Sequence, residues 1–589
     1  MELEQSVTIE FEKAKKTDAI TMLFNDGKKK HYALSKYDPK KIDSKIFGED
    51  MGNAETIWVF MGLSLGYQIE YLLDYAKRDL NIIIIEPSKK YVELQKEQNP
   101  NLEAILAKPS VALVTMENFI ELKSVITQKV RAKDRNNVRF VDNSLYLKFF
   151  EGFYKVATKE VSNSINFLNI NYNTRDVYFI KTLKNIMLNK EATINSYSFK
   201  PHWGAYKDIP ALIVSGGPSL DKNIEFIKNF KGFVFTGVRT YNKVYDYGGE
   251  VDFLCSVDPT VKSFELLADR EKTHAAMITL PVSSPDIIAN NDGPKYITVN
   301  DAPVIYSLFK QTYAYLPAFG SVATLCLSGA KVLGCNPIIF IGQDLAYTDN
   351  KTHADTVGAK TLNINEETHR IMVDGYYGGK VPSHNDLEGF LRWIEDYIRD
   401  NSEDTTYINA TEGGAKIKGT IQMPFEEVVQ KYTNQKPKLE HTLKVTDAYE
   451  EGETPEEPEK ALQDCIQEIK DIKKMIQEGI KYTDEIIAEY KKGPKAAQVK
   501  LQKLIRKVDK RVGSNIPTKN ALANEAIKIA YSKINIHTPY KQPLHETAEE
   551  RQIRLASMTN HTYQLIIVQL DRVLELIELK EEDQESEEN

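Results

Sequence analysis

The stretch best suited to chemistry is Ser215-Gly216-Gly217-Pro218-Ser219-Leu220-Asp221, which follows the apolar run Ala211-Leu212-Ile213-Val214 and precedes an amphipathic run from Asn223 to Phe230. It reads as strand, glycine turn and helix start. Adjacent glycines let the backbone turn sharply and approach a ligand, and Pro218 and Ser219 suit a first helical turn whose free N–H groups point outward. Phosphate fits such a turn, although an ordinary strand-to-helix connection uses the same residues. In a parallel α/β sheet the loops at the carboxyl ends of the strands converge on one crevice. The other candidates are therefore Thr236-Gly237, Asp258 in Ser256-Val257-Asp258-Pro259, Gly320-Ser321 at a helix start, and Gly342-Gln343-Asp344.

The elements that must position these residues are apolar strands alternating with helices. The strands are Ala211 to Ser215, Gly232 to Thr236, Phe253 to Val257, Ala275 to Leu280, Tyr296 to Val299 and Pro337 to Ile341. Such alternation predicts a largely parallel sheet covered on both faces, an α/β, Rossmann-like central domain over residues 201–440. An N-terminal α/β domain over 1–200 begins with short alternating runs closed by Asn25-Asp26-Gly27. It continues with a strand from Thr56 to Phe60, the turn Gly62 to Gly66, a helix from Tyr67 to Lys77, and a strand from Ile82 to Ile85 ending in Glu86. Glu86 stands where a dinucleotide fold bonds a ribose, although Gly62-x-x-x-Gly66 is a degenerate fingerprint. Val177, Ile180, Leu183 and Met187 predict a bridging helix, with a boundary near Pro201.

After Pro437 the character changes. An acidic linker from Glu450 to Lys460 leads into a helical C-terminal domain over 441–589. Its first helix carries the stripe Leu462, Ile466, Ile469, Met475, Ile476 and Ile480. Further helices are expected over Ala496 to Val512, Lys519 to Ile534 and Ala548 to Leu579, then an acidic end from Glu581 to Glu588. The bundle carries no chemistry; its expected work is oligomerisation or holding a protein substrate.

A formal net charge of -8 offers no global field for nucleic acid, and Lys28-Lys29-Lys30 reads as a solvated run at a turn. The four cysteines, Cys255, Cys326, Cys335 and Cys465, have neither zinc nor disulfide spacing. No membrane-spanning run or export leader is seen, so the expected location is cytoplasmic. Between Pro201 and Leu439 there is no Asp-x-Asp to clamp a divalent ion.

Four motifs in order carry a family resemblance: Ser215 to Asp221, Gly320-Ser321-Val322-Ala323, Gly342 to Tyr347 with His353, and Asn409 to Gly419. Together they resemble the motility-associated factor (Maf) family of flagellin glycosyltransferases, whose central domain is similar to bacterial sialyltransferases using CMP-activated nonulosonic acids. The resemblance covers about residues 201–430. It implies transfer of a pseudaminic- or legionaminic-type sugar from a CMP donor to Ser or Thr of flagellin, as flagellum assembly and motility require.

Residue by residue, it implies that Gly216, Gly217, Pro218 and Ser219, with Ser215, cradle the phosphate. Ser321, with Gly320, would sit beside the donor carboxylate, and Asp344, in Gly342-Gln343-Asp344, would meet the cytidine and sugar. Thr236, Asp258 and Tyr347 complete the expected donor site. Gly216 stands where the sialyltransferases often carry an amide residue. The acceptor hydroxyl must lose a proton, which suits a histidine. His384, before the Asp386-led helix, and His353 are the candidates, and each is alternatively a helix cap or a surface residue. The loop with Gly375, Gly378 and Gly379 would close over the donor. No tightly bound cofactor is implied, the CMP-sugar being a co-substrate; no metal ligands are assigned and a metal requirement stays open. The expected partners are flagellin and the CMP-nonulosonic acid donor, with neither nucleic acid nor membrane, and a homo-oligomer is left open. A hydroxymethylpterin pyrophosphokinase, which has a similar Gly-Pro-Ser loop, and a non-catalytic flagellin chaperone are the alternatives.

Overall fold

The computed structural model describes residues 7–51, 56–77, 79–130, 137–260, 264–265, 267, 272–299, 302–355, 371–448, 457–491, 519–534, 540 and 546–578. Contacts divide the chain into two compact units. The first comprises Met1–Tyr178, Asp471–Thr518 and Ala523–Asp571; the second comprises Phe179–Lys470, Lys519–Leu522 and Arg572–Asn589. The helices after Pro458 thus contribute to both units.

The first unit opens with an antiparallel meander, β1 (Thr8–Lys13), β2 (Ile20–Asn25) and β3 (Lys30–Tyr32). Asp26 Oδ1 accepts the N–H groups of Lys28 and Lys29 at 2.9 and 2.7 Å, which closes the expected turn and leaves the lysines in solvent. A parallel sheet follows, formed by β4 (Ile57–Met61), β5 (Asn81–Glu86), β6 (Val111–Thr115) and β7 (Val138–Asp142) in the order β6-β5-β4-β7. Trp58 and Phe60 pack into one core and Ile57, Val59 and Met61 into another, the period-two pattern of a strand covered on both faces.

The order of this sheet reverses between β4 and β7, where a doubly wound fold holds ligands. Here protein fills the crevice. The Tyr146 ring lies over Gly62 so closely that a Cβ there would be 2.6 Å from it. Glu86 is fully buried, accepting from Leu63 N at 2.7 Å and from Gln95 Nε2 and Tyr146 Oη at 3.3 Å. The expectation that Glu86 meets a ribose is corrected: its carboxyl ties the turn after β4 to its neighbours. Burial pushes its pKa up to about 8 against those hydrogen bonds.

The second unit holds a nine-stranded sheet. Its strands are β8 (Ala211–Val214), β9 (Phe233–Gly237), β10 (Phe253–Ser256), β11 (Ala276–Thr279), β12 (Lys295–Val299), β13 (Ala314–Tyr315) and β14 (Ile338–Ile341). After the hairpin strands β15 (Ile371–Asp374) and β16 (Lys380–Ser383), β17 (Tyr407–Asn409) and β18 (Ile421–Gln422) complete it. The order is β13-β12-β11-β10-β9-β8-β14-β17-β18 and every pairing is parallel. All six apolar runs read from the sequence are strands of this sheet. Ala211, Ile213, Ile338 and Phe340 enter one core and Leu212, Val214, Ile339 and Ile341 the other, so helices cover both faces.

The glycine-rich stretch expected to close over a ligand is, from Ile371 on, the hairpin β15–β16. It is pinned by Tyr376 N to Gly414 O at 2.9 Å and Lys416 N to Asp374 O at 2.8 Å. Past it run the helices Asn385–Asp400, Pro458–Tyr490, Ala521–Lys533 and Ala548–Glu578. The Leu462, Ile466, Ile469 and Ile476 stripe is buried as core. The helix expected over 496–512, most of the acidic linker and the acidic end at 581–588 lie outside the described residues.

Candidate functional site

The chain adds strands outward from β8 to β13 and then returns to lay β14 on the other side of β8. The loops after β8 and β14 therefore diverge from a single switch point, where a crevice opens beyond the strand ends. They are bonded to each other throughout. Gly217 N donates to Gly342 O at 2.8 Å and Ser215 Oγ to Gln343 Oε1. Ser219 N and Oγ donate to Asp344 Oδ2 at 3.2 and 2.7 Å, and Thr348 Oγ1 donates to Oδ1.

Two glycines permit this contact. A Cβ on Gly217 would lie 2.0 Å from Asp344 Oδ2 and 2.5 Å from Gly342 O. Gly342, at φ 62°, is in the left-handed region, and a Cβ there would be 2.1 Å from Ser215 O. Behind the loops, Ala415 N donates to Asp344 O at 2.7 Å, and Glu412 accepts Asn223 Nδ2 and Phe425 N at 2.8 and 3.0 Å. The Asn409 to Gly419 segment is thus the floor of the loops.

In front of them lies a cavity of 370 Å³. Of the residues singled out from the sequence, Ser215, Gly216, Gly217, Gly237, Asp258, Gly320, Ser321, Gly342, Gln343, Asp344 and His353 line it. Five others do not. Ser219 is buried beneath the turn on Asp344, and Pro218 begins the descent to it. Thr236 is fully buried, its hydroxyl shared with Thr240 and with Val214 O. Tyr347 stands outside the lining, its N–H on Pro382 O at 2.9 Å. His384 is the N-cap of the helix Asn385–Asp400: its Nδ1 accepts Asp386 N at 3.4 Å, and its side chain is 41% exposed.

Asp344 is buried with both carboxylate oxygens engaged by protein. Burial pushes its pKa up, opposed by the hydrogen bonds of Thr348 and Ser219. Asp258 accepts Thr260 N and Oγ1 at 2.8 and 2.7 Å, which fixes its carboxylate at the rim. Ser321 is the N-cap of the helix Val322–Val332, makes no capping bond through its hydroxyl, and lines the cavity together with Val322 and Ala323.

His353 is held by its chain neighbours. Ala354 N donates to Gly216 O at 3.0 Å and Asp355 N to Asp221 Oδ2 at 2.9 Å. Lys243, itself buried, pairs with Asp221 and donates to Asp355 O at 2.7 Å. Burial, and then the charge of Arg239, hold the His353 imidazole below its usual pKa.

The sequence reasoning missed Arg239 and Phe390, which also line the cavity. Arg239 lies two residues past Gly237, so the strand-end rule reached its neighbour. Phe390 is the sixth residue of an amphipathic helix and has no local mark of function. Among the described residues, no group of three or more His, Cys, Asp or Glu is placed to hold a metal ion. No described helix is long and apolar enough to cross a membrane.

A switch-point cavity between a glycine turn and a Gly-x-Asp loop defines a doubly wound α/β protein. The solved structure of a MAf glycosyltransferase from Magnetospirillum magneticum AMB-1 has this fold. It is similar over 97% of this chain and 93% of its own, with a TM-score of 0.59 and 14% sequence identity. At that identity the likeness is one of fold. A family described as 6-hydroxymethylpterin diphosphokinase MptE-like matches residues 180–350. No curated protein matches the chain.

Proposed function

We propose that this chain is a glycosyltransferase that moves a nonulosonic acid of pseudaminic or legionaminic type from its CMP-activated form to Ser or Thr hydroxyls of flagellin in the cytoplasm. The observation that carries this is the convergence of the Ser215–Gly217 turn, Gly320-Ser321 and His353 on one cavity, in a fold shared with a glycosyltransferase. The described carboxylate, guanidinium and imidazole side chains lining it are Arg239, Asp258, Asp344 and His353, which suits a donor with one phosphodiester and one carboxylate better than a triphosphate.

In this reaction the bond from the sugar's anomeric carbon to the phosphate oxygen breaks, and CMP leaves with the electron pair. The acceptor oxygen forms the new bond to that carbon, and its proton passes to the base. The Gly217 N–H is taken by Gly342 O, so the N–H of Gly216 would receive the departing charge. His353 is favoured as base because it lines the cavity, whereas the His384 ring is spent on a cap.

Incubation with flagellin and CMP-nonulosonate tests the proposal by the intact mass of flagellin. Added sugar residues are expected, and an unchanged mass would overturn it. The match over residues 180–350 favours a second function, diphosphate transfer to a hydroxymethylpterin. Tight ATP binding with Mg²⁺ and no CMP binding in calorimetry would select that one.

A further inference from the structure

Among the described residues lining the cavity, Arg239 supplies the permanent positive charge. It is the second residue of the helix Val238–Asp246, directly after β9, and is solvent-exposed. A Cβ on Gly216 would lie 3.3 Å from Arg239 Cδ, 3.5 Å from Thr240 Cγ2 and 3.8 Å from His353 Cδ2, so the arginine stem and the imidazole edge stand side by side over one glycine. His353 Nδ1 is buried and has no hydrogen-bond partner among the described residues. A guanidinium and an imidazole on neighbouring parts of one cavity wall make a place for a planar or tetrahedral oxyanion.

We propose that Arg239 and His353 form a two-point receiving site for an oxyanion of the substrate, phosphate or carboxylate, on the cavity wall beside Gly216. The identity of that substrate rests on the donor proposed above. Arrival of the anion offsets the field of Arg239 on the imidazole, so His353 becomes a stronger base when the substrate is in place. Asp258 and Asp344 share the cavity, and the pairs Asp221–Lys243 and Lys351–Asp355 lie on the adjoining segments.

The test follows the His353 imidazole by NMR in the full chain, with and without inorganic phosphate. In the wild type, phosphate raises its titration midpoint. In R239M the midpoint is higher from the start and phosphate no longer moves it, while R239K keeps part of the response. An R239M midpoint equal to wild type, or an equal phosphate response in both, overturns the proposal. Calorimetry supplies the second arm: R239M weakens CMP by about 10- to 100-fold and leaves cytidine unchanged. A loss confined to CMP-nonulosonate assigns the carboxylate to the site instead, and equal losses for CMP and cytidine overturn the site. If wild-type protein binds no CMP while the phosphate response stands, the donor is wrong and the oxyanion site remains.

Discussion

His353 and His384 differ in what their rings are already committed to. The first lines the cavity with Nδ1 buried; the second caps a helix at 3.4 Å and is 41% exposed. His353→Ala is therefore expected to lower the transfer rate by roughly 10²- to 10⁴-fold with the fold intact. His384→Ala costs no more than about 1 kcal/mol of stability, as a lost cap, with near wild-type turnover. Single-turnover rates and thermal melts of the two variants decide between them; full activity in the His353 variant would remove it from the chemistry. The sequence could not separate the two, because a residue before an Asp-led helix looks alike whether it caps or accepts a proton. Asp344 was legible from its Gly-x-Asp setting. Its bonds to Ser219 and Thr348 were not, since they join segments remote in the chain.

At the scale of elements, the meeting of the loops after β8 and β14 depends on the hydrogen at Gly217. Gly217→Ala sets a methyl carbon against backbone and a buried carboxylate, and is expected to cost roughly 1–3 kcal/mol, as overpacking does, and to abolish CMP binding. Gly216→Ala is tight only against the flexible Arg239 stem at 3.3 Å, with Thr240 and His353 at ordinary contact distance, and folds normally. Denaturant unfolding of the pair checks this, and equal stabilities would show that the clamp is soft. The strands that hold these loops were legible because each is a run of four or more apolar residues buried on both faces. β13, β17 and β18 were not, since strands of two or three residues leave no period to read. The β15–β16 hairpin was hidden by its glycines, which serve a tight turn and a mobile loop equally well.

Across the whole molecule, two doubly wound sheets treat their switch points in opposite ways: one is filled by Tyr146 and Glu86, the other opens to the cavity. The fill has a pH signature. With a folded pKa raised from 4.5 to about 8, Glu86 contributes stability that is full below about pH 4.5 and is lost as pH rises towards 8. Glu86→Gln is expected to flatten this loss, so that thermal unfolding of the first unit between pH 5 and 9 shows a weaker slope; an unchanged slope would place the titration elsewhere. The sequence pattern that suggested a ribose ligand at Glu86 is the same one that packs a turn, and only the distant Tyr146 separates the two. The open switch point carries a consequence for synthesis. Ser219 and Asp344 are 125 residues apart, so on the ribosome β8 waits roughly 6 to 25 s with one edge unpaired before β14 can seal it. A nascent chain of this protein therefore cannot form the cavity until that strand emerges, so any ligand capture would follow, and report, the closing of the sheet.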